Sequence, residues 1–198
     1  MPQPEGLQAA KVGVRLARQP DDLGEWLADG SAFEAAGADA LWIDPGLDSP
    51  LDPLALTAAL AAVTFRSLLI TTLSASGRSS PVLARTLATI GRLSRGRLGI
   101  LAGADSVGIL SEVGPDMRVF RRIPGDPDAV EHARGSDPVE RWVHVSCPDG
   151  RVAWRATLLD ATERGFRGLL VPAEPRLLDI LRNPDDPGYR YDLRLAQG

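Results

Sequence analysis

Residues 31–103, SAFEAAGADALWIDPGLDSPLDPLALTAALAAVTFRSLLITTLSASGRSSPVLARTLATIGRLSRGRLGILAG, carry the signal that decides the fold. Three apolar, strand-like runs lie in or at the edge of this stretch, DALWID (39–44), SLLITT (67–72) and RLGILAG (97–103), and a fourth, KVGVRL (11–16), precedes it. Their starts recur every 28 to 30 residues. Between them lie amphipathic segments with helix punctuation. Asp22 stands as an N-cap with Glu25 three residues on, Asp52 precedes Pro53, Ser80 precedes Pro81, and Gly37 and Gly96 follow helix ends. Proline at a first helical position is harmless, because the N–H it lacks has no partner there. The first predicted helix turns Leu23, Trp26, Leu27 and Phe33 to one face, and the third does the same with Leu83, Leu87 and Ile90. Such stripes bury against a sheet. Strand and helix alternating at a fixed period is the pattern of βα units around parallel strands.

Beyond this stretch the pattern breaks. Residues 104–141 hold at most one short strand, MRVFRRI, among Gly, Pro and Asp turn signals. Order returns with a strand RWVHVSC (141–147), a helix from Asp149 to Arg164 stopped by Gly165, a strand FRGLLVP (166–172) and a helix PRLLDILRN (175–183). Periodicity alone is compatible with a barrel or with a doubly wound open sheet. No G-x-G-x-x-G follows the first strand, which weighs against the dinucleotide-binding form of the latter.

Length and composition narrow the function classes. At 198 residues the chain suits one domain and falls short of the roughly 250 typical of a complete eight-unit barrel. Hydrophobic residues at 44% and charged residues at 24% describe a globular protein. A net charge of -4 leaves no basic footprint for nucleic acid. Cys147 is the single cysteine, the amino terminus lacks signal-peptide features, and no apolar run approaches the roughly 20 residues of a membrane span. A cytoplasmic protein with neither nucleic-acid nor membrane partner is the expectation.

The same residues resemble a known family. Glu34, Gly37, Asp39, Leu41 and Trp42 in the first turn and strand, Asp52-Pro53, the A-x-x-T-x-R of Ala61, Thr64 and Arg66, and Leu93-Ser94-x-Gly96-Arg97 follow, in order and spacing, the first part of luciferase-like monooxygenases. The late segment SCPDGRVAWRATLLDATERGFRGLLV resembles that family's seventh unit, with Ser146 at its glycine, Asp149 at its glutamate and Val152 on its valine. The resemblance implies an α/β fold, a contracted TIM-like (β/α) barrel of about six parallel strands within one domain, 1–198. Residues 11–103 would be its first four units, 104–141 an irregular replacement for units five and six, 142–183 the last two units and 184–198 a tail. It implies an oxidoreductase or monooxygenase that uses FMN or F420 to transfer hydride or activate oxygen on a small organic substrate, and it leaves open whether a flavin reductase is a partner. Many relatives place histidine after the aspartate of the second strand; this chain has Pro45 there. The alternative is a non-catalytic dimeric homologue, a binding or scaffold protein without the flavin pocket.

Ligands of parallel barrels sit at the carboxyl ends of strands, here marked by Asp44, Thr71, Thr72, Gly103, Asp105, Cys147 and Pro172. Of Thr71 and Thr72, which point to opposite faces, only one faces the interior; Thr72 is taken as the cofactor contact. Asp44 also reads as a turn starter before proline, and Gly103 as a strand-ending turn. Pro148, Asp149, Gly150 and Arg151 open a helix whose free N–H groups attract an anion, and Arg151 and Arg155 would add charge for a cofactor phosphate; the plain reading is an Asp149 N-cap with solvated arginines. His144, alternating with valines, and His132, in the irregular segment, read as non-catalytic, and Cys147 as a small buried residue. Lys11 lies on the wrong rim for a Schiff base. No catalytic residue is assigned, and no cysteine or histidine spacing suits a metal. A barrel missing two units leaves open strand edges, so a homodimer is expected.

Overall fold

The computed structural model describes residues 10–16, 20–44, 46, 49–73, 80–103, 117–133 and 138–184. The alternation read from the sequence is present: β1 (Lys11–Arg15), α1 (Leu23–Ala35), β2 (Ala40–Ile43), α2 (Pro53–Val63), β3 (Leu68–Leu73), α3 (Ser80–Leu93) and β4 (Leu98–Ala102). The Asp22 carboxylate accepts from the N–H groups of Gly24 and Glu25, and that of Asp52 from Leu54, so first-turn donors without intrahelical partners are satisfied. On α1 the buried residues begin at Trp26; Leu23, in the first turn, is exposed.

The second half departs from six parallel strands. MRVFRRI forms β5 (Arg118–Ile123), parallel to β4, and β6 (Asp126–His132) returns antiparallel to it. β6 then pairs antiparallel with β7 (Glu140–His144); α4 (Arg151–Glu163), β8 (Gly168–Pro172) and α5 (Pro175–Arg182) complete the order. β8 pairs with both β7 and β1, so eight strands close into a barrel, all parallel to their neighbours except around β6. The barrel class is as expected; the count of about six and the gap are corrected. Asp126-Pro127-Asp128 opens β6 with residues that read as a turn, which hid the strand. The hairpin turn is Pro124-Gly125, where Gly125 at φ +84° takes the left-handed position that a type II turn requires. A hairpin closes the circle in far fewer residues than two βα units, which is how 198 residues suffice. Closure also removes the open edges that motivated a homodimer. Pro45, Asp105 and the tail from 185 lie outside the described residues. Among the described residues no helix is long and apolar enough to cross a membrane.

Alternate strand residues fill the interior. Trp42, Phe120 and Trp142 pack edge to face, with centroids 5.3 to 6.5 Å apart, beside Ile70, Leu101 and Leu170. Glycines on facing strands make the room. A Cβ on Gly13 would lie 2.8 Å from Trp142 Cζ3 and from Trp42 Nε1, and one on Gly168 would run into Cδ2 and Cε3 of Trp142. Small residues opposite large ones make the interior a packed core and not a pore. Outside the strands, Trp26, Phe33, Leu60 and Trp154 of the helices cover Leu41, Leu69 and Leu169, while Leu83, Leu87 and Ile90 of α3 cover Leu98 and Ile100. At the amino-terminal end Lys11 Nζ donates to Glu140 Oε1 at 2.7 Å and Trp142 Nε1 to the same oxygen at 3.2 Å. Burial pushes the Glu140 carboxyl up, but the Lys11 hydrogen bond and charge hold it below the ordinary glutamate range.

Candidate functional site

Above the aromatic core the carboxyl ends of the strands surround a cleft of about 140 Å³. Arg15 from β1, Trp42 and Asp44 at β2, Arg122 from β5, Asp128 from β6 and His144 from β7 supply its polar wall, and Leu101, Pro127 and Leu170 its apolar one. Because β6 runs antiparallel, its first residues reach this rim. There the register with β5 shifts between Arg122 and Ile123, and the bulged stretch brings Pro127 and Asp128 to the mouth.

Two arginines and two carboxylates face the cleft. Burial pushes the His144 imidazole below its ordinary pKa, and the charges of Arg15 and Arg122 push the same way; Asp128 and Asp44 oppose them and lose. His144 is therefore neutral at pH 7. Neither Arg15 nor Arg122 makes a hydrogen bond or ion pair with another described residue. Trp42 is 3% exposed, and its Nε1–H finds no acceptor. An orphaned buried donor costs about 1 to 3 kcal/mol, which the packing of the ring against Phe120 and Trp142 has to offset.

The sequence-predicted site residues divide into two groups. Asp44 lines the cleft while its Oδ1 accepts from Gly46 N–H at 3.2 Å, so the turn and rim readings both hold. Thr71 is fully buried toward α2, its hydroxyl 3.4 Å from the Pro53 carbonyl, which leaves Thr72 on the inward face. Gly103 is exposed just past β4. These three share the rim. The Pro148–Arg155 group follows β7 at the same end but does not line the cleft. Gly150, at φ +89°, occupies the N-cap position of α4, and no side chain caps that helix. Asp149 stands one residue too early to cap it; its carboxylate, 97% exposed, accepts from Arg176 Nη1 at 3.0 Å. Arg151 donates from Nε to the Asn183 carbonyl at 2.7 Å and from Nη2 to Asp179 Oδ2 at 2.8 Å, and Arg155 donates to the Pro184 carbonyl at 2.9 Å. Both arginines tie α4 to the negative, carbonyl end of α5. Replacing both with glutamine is expected to lower the thermal midpoint by several degrees, about 1 to 2 kcal/mol for lost charged hydrogen bonds, as followed by circular dichroism.

The remaining candidates take structural places. The His132 ring lies against Phe120 with Nδ1 2.9 Å from the Val119 carbonyl. Burial, then the Glu174 charge, push the half-buried Cys147 thiol up, away from nucleophilic character. His144, Arg15, Arg122 and Asp128 are the cleft residues that sequence reasoning missed. The alternation that places His144 and Trp142 on one face of β7 was legible; that this face looks into the barrel mouth was not.

Several of the residues that carry the family resemblance lie at the opposite, amino-terminal end. Glu34, 7% exposed at the end of α1, accepts from Phe65 N–H at 2.7 Å, Arg66 N–H at 2.8 Å and Ser67 N–H at 2.7 Å. Arg97 donates to the carbonyls of Ser67 and Thr64, each at 2.7 Å. The α2–β3 connection is thus held by its amides from one side and its carbonyls from the other. This is the face of a barrel that serves stability. The family model described as luciferase-like monooxygenase matches residues 7–108 of the 198, just over half of the chain. The chain belongs to the luciferase-like monooxygenase family.

Among solved structures, this luciferase-like chain is similar to EDTA monooxygenase from Chelativorans sp. BNC1, at 22% identity over 48% of this chain and 28% of that one, TM-score 0.41. It is similar to a riboflavin lyase at 23% identity over 54% and 33% of the two chains, TM-score 0.41. It spans about a third of the length of these first matches. A ligand-free tryptophan synthase from M. tuberculosis matches at 16% identity over 89% and 92% of the two chains with TM-score 0.56, which shows a shared barrel fold. No curated protein sequence matches the chain.

The flavin that the family name implies has to meet this geometry. A cleft of about 140 Å³ is below the roughly 300 Å³ at which pockets begin to enclose drug-sized ligands, so a tricyclic ring does not fit inside it. The rim above offers Asp44, Thr72 and the open backbone of Gly103, a donor and acceptor set suited to the polar edge of such a ring. The Pro148–Arg155 turn offers a phosphate no free guanidinium.

Proposed function

We propose that this chain is a luciferase-like oxidoreductase that holds FMN or F420 on the rim of Asp44, Thr72 and Gly103 and takes a small organic substrate into the cleft beneath. The clustering of Arg15, Arg122 and neutral His144 above Trp42, at the barrel end where ligands bind, is the observation that carries this reading. The bound cofactor would supply hydride transfer or oxygen activation. The chain's own residues would bind and orient. Arg15 and Arg122 compensate negative charge, the packed tryptophans exclude water from below, and the neutral His144 ring has a nitrogen able to accept a proton. Titration with FMN and with F420, followed by quenching of cofactor fluorescence, tests this. Saturable binding of one of them, weakened at least tenfold in Thr72→Leu, is the expected result.

The non-catalytic reading is favoured by one observation, the engagement of Arg151 and Arg155 with α5, which leaves the family-implied phosphate anchor without its charge. Absence of binding for both cofactors at millimolar concentration would put that reading ahead.

A further inference from the structure

We infer that the mouth cleft is a binding site for a small carboxylate, gripped by Arg15 and Arg122. This names the substrate class of the proposed function and rests on that reading only for the word substrate; binding itself needs no cofactor. Two guanidiniums meet there, with the carboxylates of Asp44 and Asp128 in the same wall. The guanidiniums of Arg15 and Arg122 come from β1 and β5, and neither is paired among the described residues. The Trp42 ring lines the cleft, with its Nε1 sealed off in the core beside Gly13. The ring is held there by Phe120 and Trp142, edge to face at 5.3 and 6.0 Å, and sits over Gly13, so its N–H cannot turn out to water. A planar carboxylate offers two oxygens to such a fork of donors.

Size and the apolar wall set the rest of the ligand. About 140 Å³ admits a few non-hydrogen atoms, and Leu101, Pro127 and Leu170 suit a short aliphatic body. The titratable and charged groups facing the cleft are Arg15 on β1, Asp44 after β2, Arg122 on β5, Asp128 on β6 and His144 on β7. One oxygen of Asp44 is already engaged by Gly46 N–H, which lowers its competition for the arginines. As pH falls below the ordinary histidine value, His144 gains a proton and a positive charge. A carboxylate that is still ionised then binds more tightly, until its own protonation near pH 4 to 5 releases it.

The test uses the full chain without cofactor and propionate as probe, with binding read by isothermal calorimetry and by tryptophan emission at constant ionic strength. Saturable binding of propionate, none of the isosteric propionamide, and at least tenfold weaker binding in Arg122→Gln and in Arg15→Gln are expected. Arg118→Gln, at the other end of the barrel, leaves propionate binding unchanged. Arg122 is exposed, so its variant reports on binding free of a folding defect, which circular dichroism verifies. Affinity rises as pH falls from 7 toward 5. No saturable binding at millimolar propionate, equal affinity in wild type and Arg122→Gln, or inorganic phosphate bound as well as propionate would each overturn the carboxylate assignment. Propionate binding with no FMN or F420 binding sinks the proposed function and leaves this site standing; the reverse result does the opposite.

Discussion

Glu34→Ala is expected to destabilise the protein by about 3 to 5 kcal/mol in urea denaturation, one of the largest effects of any single polar substitution in this chain. Three backbone N–H groups lose a charged acceptor at once, and each such bond is worth about 1.5 to 3 kcal/mol before relaxation of the loop. The effect carries a pH signature. Burial pushes the Glu34 carboxyl up, but the hydrogen bonds from Ser67, Arg66 and Phe65 outweigh it and hold the carboxyl below its ordinary value. A depressed folded pKa gives stability that is complete above the ordinary glutamate value of about 4.3 and is lost as pH falls through the folded one. The stability gap between wild type and Glu34→Gln should therefore be constant from pH 7 to about pH 5 and narrow below pH 4. A gap that stays constant down to pH 3 would show that the carboxylate charge contributes nothing to holding residues 65–67.

Gly168→Ala is expected to cost about 3 kcal/mol, at the upper end of overpacking effects, although it adds one methyl group. That methyl would occupy the space of the Trp142 ring, which is 1% exposed and wedged between Trp42 and Phe120. The indole cannot swing aside without losing the Nε1 bond to Glu140 that closes the amino-terminal mouth. The cause is tested by a double-mutant cycle. On the Trp142→Phe background, with a smaller ring, the alanine should cost at least 1 kcal/mol less than in the wild type. Additive costs would place the strain elsewhere than between these two residues.

The first four βα units were legible in the sequence because each element declares itself locally. Asp22 and Asp52 cap helices, Pro53 sits where a helix begins, and Leu83, Leu87 and Ile90 repeat at helical spacing whatever the chain does elsewhere. The family was legible for a related reason: Glu34, Thr64, Arg66 and Arg97 lie close along the chain, in consecutive connections at one end of the barrel. That end holds the scaffold, so the recognisable residues say what the fold is and little about what it binds. Asp44 and Thr72 could be placed at the rim because strand ends mark it in any parallel barrel.

The antiparallel β6 and the cleft were decided by tertiary structure. Asp126-Pro127-Asp128 has the local chemistry of a turn, and only pairing with β5 on one side and β7 on the other makes Asp126–His132 a strand. Arg15, Arg122 and His144 lie on three different strands and are unremarkable singly; Arg15 and His144 alternate with apolar residues as any half-buried strand residue does, and Arg122 follows Arg121 on an exposed strand. Their meeting depends on closure of the barrel, a sum of non-local hydrogen bonds and packing that no window of sequence contains. The same holds for Arg151 and Arg155: a helix start with two arginines reads as an anion site until the fold places the carbonyl end of α5 against them. By itself the sequence determined the periodic βα scaffold and the family, because caps, turns and amphipathic stripes act over a few residues. The tertiary structure alone decided the eighth strand, the aromatic core and the charge-lined mouth, because those depend on which distant strand each one lies beside.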